Sequence, residues 1–434
     1  MREMKVTLSP DQSANKLMRN ILGINNSPRI TTVARRLHDK ALFDALNFRY
    51  VRYHDAPLEN PGQQLIDIRR IFPLIHADES DSRNYLFGQC DDYLSVIADS
   101  DAQIDFRLGE TIDHSGNARM IGVPEDIDKW ARICRNIIGH YKNGEMNGMR
   151  LNIRQVTIWE EPDNPKLLSG TVDDYSRMFC AVYKLLKRDF PDLMVGGPTI
   201  MSNSLDFLQR FLENCKAEGV TPDYVTATIY SRDLETIPQK LSAYHAIAQK
   251  TGFPEMRIRL AEWHLGPVDW KQTNNEALNG FRSSINAAYS VSTLVDMMDI
   301  AFLDAAYYYA WATSCWSVMN LNSPEMEPLP VYWGLMLYQK LGAQCSQRLA
   351  TTVENGGNVR VLAGRTKDGR TRLLISCYEE SACTIKCEVG SSINCTLSSV
   401  EPDGSYTEGK ELIGEKGSFT VVHQGGSGVY LLEF

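Results

Sequence analysis

Eight short apolar runs, each followed by a longer polar-apolar segment, recur between residues 21 and 342 of this 434-residue chain. They fall at 21–25, 50–54, 104–109, 156–159, 194–198, 224–230, 258–263 and 305–311. Runs this short, rich in branched and aromatic residues, read as strands buried on both faces. The segments between them carry a helical repeat. In 126–141 the apolar residues are Ile127, Trp130, Ile133, Ile137 and Ile138, and 172–188 and 279–298 behave alike. Thr171 or Asp173 supplies an N-cap for the second of these. Eight strand–helix alternations predict an α/β fold, a parallel (β/α)8 TIM barrel ringed by helices. A doubly wound open sheet is the rival. It is disfavoured because no Gly-rich phosphate turn follows the first run.

The pattern changes after about residue 345. Residues 358–363, 372–377, 384–389, 419–422 and 428–434 are short β-like runs separated by turn signals. One of these is Asp368-Gly369, a hairpin dipeptide because it tolerates positive φ. The expected organisation is a barrel over 10–344 and a C-terminal antiparallel β-sandwich over 345–434, joined by an N-terminal strand within 1–9. No repeat, low-complexity tract or flexible linker separates the two.

Composition narrows the partners. Hydrophobic residues make up 43% and charged residues 23%, and net charge is −9. No basic cluster appears, so nucleic acid is not an expected partner. No apolar run is long enough to span a bilayer, and the first twenty residues lack the apolar centre of a signal peptide. The ten cysteines are scattered through apolar context and read as reduced thiols. Cys383 and Cys387 lack the histidines that would complete a zinc site. These features point to the cytoplasm, with no metal and no cofactor expected. A homo-oligomer is compatible with them.

Chemistry gathers at the ends of the runs, where barrels of this class build their sites. Arg52 and His54 end the second, and Glu110 follows the third. Trp159, Glu160 and Glu161 end the fourth, before Pro162. Tyr230 ends the sixth, Glu262 and Trp263 the seventh, and Trp311 the eighth. A single strand-end Glu is usually a cap or an ion-pair partner, and an isolated tryptophan usually packs under loops. Two Glu-with-Trp ends, on the fourth and seventh strands, place carboxylates across one small cavity. Paired carboxylates are what glycoside hydrolysis needs. The aromatic and polar residues beside them are candidate sugar-binding groups.

Trp159-Glu160-Glu161-Pro162-Asp163 resembles the Trp-Asn-Glu-Pro-Asn signature of the large barrel clan of retaining glycoside hydrolases, and Ala261-Glu262-Trp263 resembles its nucleophile strand. Tyr50-Val51-Arg52-Tyr53-His54 is similar to the second strand of glycoside hydrolase family 39, which holds β-xylosidases and α-L-iduronidases. Tyr332-Trp333-Gly334-Leu335 and Lys340-Leu341-Gly342 resemble the helix that closes its barrel. The resemblance implies a retaining exo-glycosidase acting on a short oligosaccharide or glycoside, a xyloside or another pentose or hexose. It implies Glu161 as acid/base and Glu262 as nucleophile. Arg52, His54, Glu110, Trp159, Glu160, Tyr230, Trp263 and Trp311 would contact substrate or support the nucleophile. One departure matters: the family's asparagine before the acid/base is Glu160 here, and an ionised Glu can only accept hydrogen bonds. A barrel repurposed for carbohydrate binding without hydrolysis is therefore the alternative. The acidic loop expected after the eighth strand is not evident in 314–327.

Overall fold

The computed structural model describes residues 2–28, 33–54, 65–111, 121–201, 204–271, 278–323, 325–390, 394–415 and 417–434. Strand β1 (Arg2–Ser13) precedes a closed barrel. Its staves are β2 (Leu22–Asn25), β3 (Tyr50–Tyr53), β4 (Gln103–Leu108), β5 (Ile153–Ile158), β6 (Met194–Met201), β7 (Tyr224–Ser231), β8 (Arg257–Leu265) and β9 (Leu303–Tyr308). All eight neighbouring pairs are parallel, including β9 back to β2. The described helices are α1 (Val33–Ala45), α2 (Ile68–Ile71), α3 (Gly88–Leu94), α4 (Ile127–Asn143), α5 (Val172–Asp189), α6 (Leu205–Ala217), α7 (Thr236–Thr251), α8 (Ser284–Met297) and α9 (Pro330–Gly342).

Local chemistry sets the helix ends. Thr171 caps α5 in a reciprocal capping box with Asp174, so Thr171 is the cap and Asp173 lies within the first turn. Asp126 caps α4, and Gly144 ends it with φ 74°. The repeat expected over 279–298 becomes a helix only from Ser284, because the Ser283 hydroxyl accepts from Ile285 N–H and starts it there.

The barrel floor is filled with polar side chains. The Thr157 hydroxyl donates to Asp105 Oδ1 at 2.8 Å, and the Arg259 guanidinium lies 4.3 Å over the Tyr224 ring. These buried polar contacts fill the barrel interior, and barrels of this class build their sites at the carboxyl ends of the strands.

The C-terminal strands are β10 (Cys345–Glu354), β11 (Val359–Thr366), β12 (Thr371–Glu380), β13 (Cys383–Glu388), β14 (Asn394–Val400), β15 (Tyr406–Ile413), β16 (Ser418–His423) and β17 (Gly426–Glu433). With β1 they form one nine-stranded sheet, ordered β15-β14-β17-β12-β11-β10-β1-β13-β16. It is mixed rather than wholly antiparallel, because β1 runs parallel to β13. The Asp368-Gly369 turn joins β11 to β12, with Gly369 at φ 92°. The sheet wraps around its own core, which includes Val6, Leu373, Ile385, Phe419 and Leu432. Helix α8 lies between barrel and sheet and is buried nearly all round. Ser376 on β12 donates to the Ala288 carbonyl of α8 at 2.9 Å. Among the described residues, no helix is long and apolar enough to cross a membrane.

Candidate active site

Glu160 and Glu161 both belong to the cavity, although neighbours on a strand should face opposite ways. The backbone explains this. Trp159 has φ 66° and Glu161 φ 35°, so the chain twists sharply as β5 ends. Each left-handed non-glycine residue costs roughly 1–2 kcal/mol, which the surrounding packing must offset. Gly109 makes room for the turn. A Cβ there would meet Trp159 Cα at 3.0 Å, and its own φ is +150°.

Arg52 sits among the carboxylates. Its Nη2 donates to Glu160 Oε2, its Nη1 donates to Asn25 Oδ1 at 3.2 Å, and Nη1 lies 3.8 Å from Glu262 Oε1. His54 spans the same two acids, with Nε2 3.3 Å from Glu262 Oε1 and Nδ1 3.7 Å from Glu160 Oε2. The Tyr230 hydroxyl donates to Glu262 Oε2 at 2.6 Å. Glu161 has softer partners: Asn164 Nδ2 donates to its Oε2 at 3.3 Å, and the Thr228 hydroxyl lies against it.

Burial raises all three acids, while the partners that oppose it differ. Burial, then the Glu160 charge, pushes Glu161 up to about 7. Burial, then Glu160 and Glu161, raises Glu262, while Arg52 and the Tyr230 hydroxyl pull the other way. Burial also raises Glu160 against the pull of Arg52 and Arg107. His54 is held well below its usual value by burial and the flanking Arg52 and Arg107, so it is neutral near pH 7. Three carboxylates facing one contacting guanidinium raise one another's pKa values and titrate as a group. His54, Glu160 and Glu262 could also supply ligand atoms to a metal, all within 4.8 Å of one another. Arg52 already carries a positive charge against two of them, which opposes a cation there.

Several supporting residues were not anticipated. Asn25 Nδ2 donates to the Ala261 carbonyl at 2.8 Å, tying β2 to the chain just before Glu262. Arg107 donates to the His54 carbonyl and to Asp67 Oδ1, the latter at 2.6 Å, and Thr111 N–H donates to the same Asp67 oxygen at 3.0 Å. This buried knot fixes the backbone that carries His54.

Four expected substrate contacts are not brought into the cavity. Glu110 accepts from Arg69 N–H at 3.2 Å and neighbours Asp67 and, on α4, Cys134, so it belongs to the layer behind the site. Trp159 packs on Trp130 of α4 and donates its indole N–H to the Leu167 carbonyl at 3.0 Å. Trp263 meets Tyr308 edge-on, on the face opposite Glu262. Trp311 is 0% exposed, with its ring against Phe43 of α1 and Tyr332 of α9. The aromatic groups beside the acids are the expected Tyr230 and the unanticipated Tyr309, with Trp316 against Tyr230. Tyr309 lies 5.5 Å from the His54 ring, and Trp316 lies 5.1 Å from Tyr230.

Fold and site together define a closed parallel barrel with a buried carboxylate cluster at its carboxyl-terminal rim and a β-rich domain packed alongside. The chain belongs to the glycosyl hydrolases family 39, whose family model matches residues 42–320. A curated β-xylosidase of Geobacillus stearothermophilus is 21% identical over 348 residues, which cover 71% of this chain and 64% of that protein. The chain thus spans just under two thirds of that relative's length. Among solved structures, a glucosidase from Croceicoccus marinus aligns with a TM-score of 0.79 at 21% identity, covering 100% of this chain and 99% of its own. A monomeric β-xylosidase from Caulobacter crescentus aligns with a TM-score of 0.73 at 14% identity over 100% and 99% of the two chains.

Proposed function

We propose that this protein is a retaining glycoside hydrolase that releases a xyloside-like or other pentose or hexose unit from a short oligosaccharide or glycoside. The observation that carries the reading is the inequality of Glu161 and Glu262 within one cavity. Glu262 has an arginine and a tyrosine hydroxyl against its two oxygens, partners that favour the anion. Glu161 has only neutral partners and an elevated pKa of about 7, which suits a group that must hold a proton near neutrality.

In the first step a Glu262 oxygen attacks the anomeric carbon. The bond from that carbon to the leaving oxygen breaks, and the Glu161 proton passes to that oxygen. In the second step Glu161 takes a proton from water, the water oxygen bonds to the anomeric carbon, and the ester to Glu262 breaks. Arg52 and His54 hold the nucleophile in place. Loss of negative charge on Glu262 in the ester lowers the pKa of Glu161, so it becomes the base when one is needed.

Glu160 sets the sugar preference in this account. Its Oε2 is taken by Arg52, while its Oε1 is buried with no hydrogen-bond partner. A sugar hydroxyl donating to Oε1 would satisfy it, whereas a position lacking a donor would leave it orphaned. The ten cysteines, nine of them buried, fit a cytoplasmic enzyme acting on imported fragments. Kinetics on a panel of aryl glycosides tests the reading. Turnover with retained anomeric configuration supports it. Inversion would overturn the mechanism, and tight sugar binding without turnover would favour the binding barrel.

A further inference from the structure

An aromatic path leads from the nucleophile to the surface. Tyr230 bonds to Glu262 through its hydroxyl. Its ring lies 5.1 Å from that of Trp316 and 5.9 Å from that of Trp270. Trp316 and Trp270 are near-parallel, 26° apart with centroids at 6.4 Å. Trp270 is 62% exposed, and no other aromatic side chain is so open among the described residues that are not held in the core. One side of the indole lies against Tyr230 and Trp316, and the rest of it is open to water one ring away from a buried carboxylate. Glu160, Glu161, Glu262, Arg52 and His54 are enclosed or nearly so, and the barrel floor below them is filled. Tyr230 thus touches both the buried Glu262 and the exposed Trp270, and a group that leaves the site along the Tyr230 ring meets the indole.

We propose that Trp270, backed by Trp316, is a stacking platform for the leaving group and selects leaving groups with a flat, C–H-rich face. This proposal rests on the glycosidase reading above and adds the chemical class of the departing half of the substrate. Two sources share that chemistry: the apolar face of a further pyranose ring, and an aromatic aglycone. The indole buries such a face at little entropic cost, because it turns about only two side-chain bonds and Trp316 supports it from behind. Trp316 in turn packs on Phe281, at 4.7 Å, and on His264, so it is anchored to the body of the protein. Tyr230 has two tasks here. Its hydroxyl holds Glu262, and its ring starts the wall that the leaving group follows.

The test compares Trp270→Ala and Trp270→Phe with the wild type on one glycone bearing three leaving groups. These are fluoride, which is too small to reach the platform, a further sugar, and a naphthyl ring. Trp270→Ala should leave kcat/KM on the glycosyl fluoride unchanged. It should lower kcat/KM by roughly 5- to 10-fold on one or both extended substrates, mainly through KM, with Trp270→Phe recovering much of the loss. Which extended substrate falls further identifies the source. An equal loss on the fluoride would mean that Trp270 only supports the fold, and no loss on any substrate would mean that nothing stacks there; either overturns the proposal. A calorimetric arm stands apart from turnover: Glu262→Ala should bind a short oligosaccharide, and adding Trp270→Ala should weaken that binding by a similar factor. If the wild type turns over no fluoride, the glycosidase reading fails on its own, and the binding arm still decides the platform.

Discussion

Arg52 holds Glu160 more closely than it holds Glu262: its Nη2 is hydrogen-bonded to Glu160 Oε2, while its Nη1 stands 3.8 Å from Glu262 Oε1. The nucleophile of this account therefore shares its counter-charge with a second acid. Its other strong support is the Tyr230 hydroxyl at 2.6 Å.

Tyr230→Phe should lower kcat by roughly 10- to 100-fold, because a hydrogen bond to a charged group is worth about 1.5–3 kcal/mol. KM for a small substrate should move less. Steady-state kinetics on an activated aryl glycoside measures both, and an unchanged kcat would remove Tyr230 from the mechanism.

Glu160→Asn frees Arg52 for Glu262 and replaces an acceptor with a group that also donates. Discrimination between sugars should shift by roughly 1–3 kcal/mol across a glycoside panel. Equal changes on every sugar would show that Glu160 does not read the substrate.

Burial and the Glu160 charge raise the Glu161 carboxyl from 4.5 to about 7. The native state thus keeps a proton that the unfolded chain loses between these values, so this group's contribution to stability falls as pH rises through that window. Above about pH 7, Glu161→Gln should be more stable than the wild type, by an amount on the order of 3 kcal/mol. Below pH 4.5 the difference should vanish. Denaturant melts at pH 4 and pH 8 check the sign. The same proton makes kcat/KM fall above about pH 7.

Trp311 fills space between α1 and α9, so Trp311→Ala should cost roughly 3–5 kcal/mol of stability. In the variant that remains folded at low temperature, KM should be near the wild-type value. A large rise in KM with unchanged melting would put the ring back in the site.

The barrel was legible because each stave is a short apolar run bounded by turn residues, and chain order alone places the ends of β3, β5, β7 and β8 around one rim. Arg52, His54, Glu160, Glu161, Tyr230 and Glu262 could be singled out for that reason. Facing was harder to read. Trp263 adjoins Glu262, and strand alternation turns it outward. Trp159 is turned away by the left-handed twist at its own position, a backbone property with no sequence period. Trp270 and Trp316 lie on loops, where no repeat shows which way a side chain points. Trp316, which packs against Tyr230, comes from the segment where the family resemblance implies an acidic loop. Asn25, Asp67 and Arg107 act through buried hydrogen bonds between distant residues, which only the folded chain reveals.

The unequal roles of Glu161 and Glu262 are the centre of the account, and azide rescue tests them most directly. On a glycoside with a good aryl leaving group, Glu161→Ala should still form the ester at Glu262 and then stall, for lack of a base to activate water. Added azide should restore turnover and yield a glycosyl azide of retained anomeric configuration, while Glu262→Ala should show no such product. Azide that rescues Glu262→Ala should instead give the inverted glycosyl azide, because it attacks the anomeric carbon directly in place of the missing carboxylate. Normal turnover by Glu161→Ala without azide, or a retained azide product from Glu262→Ala, would contradict the assignment.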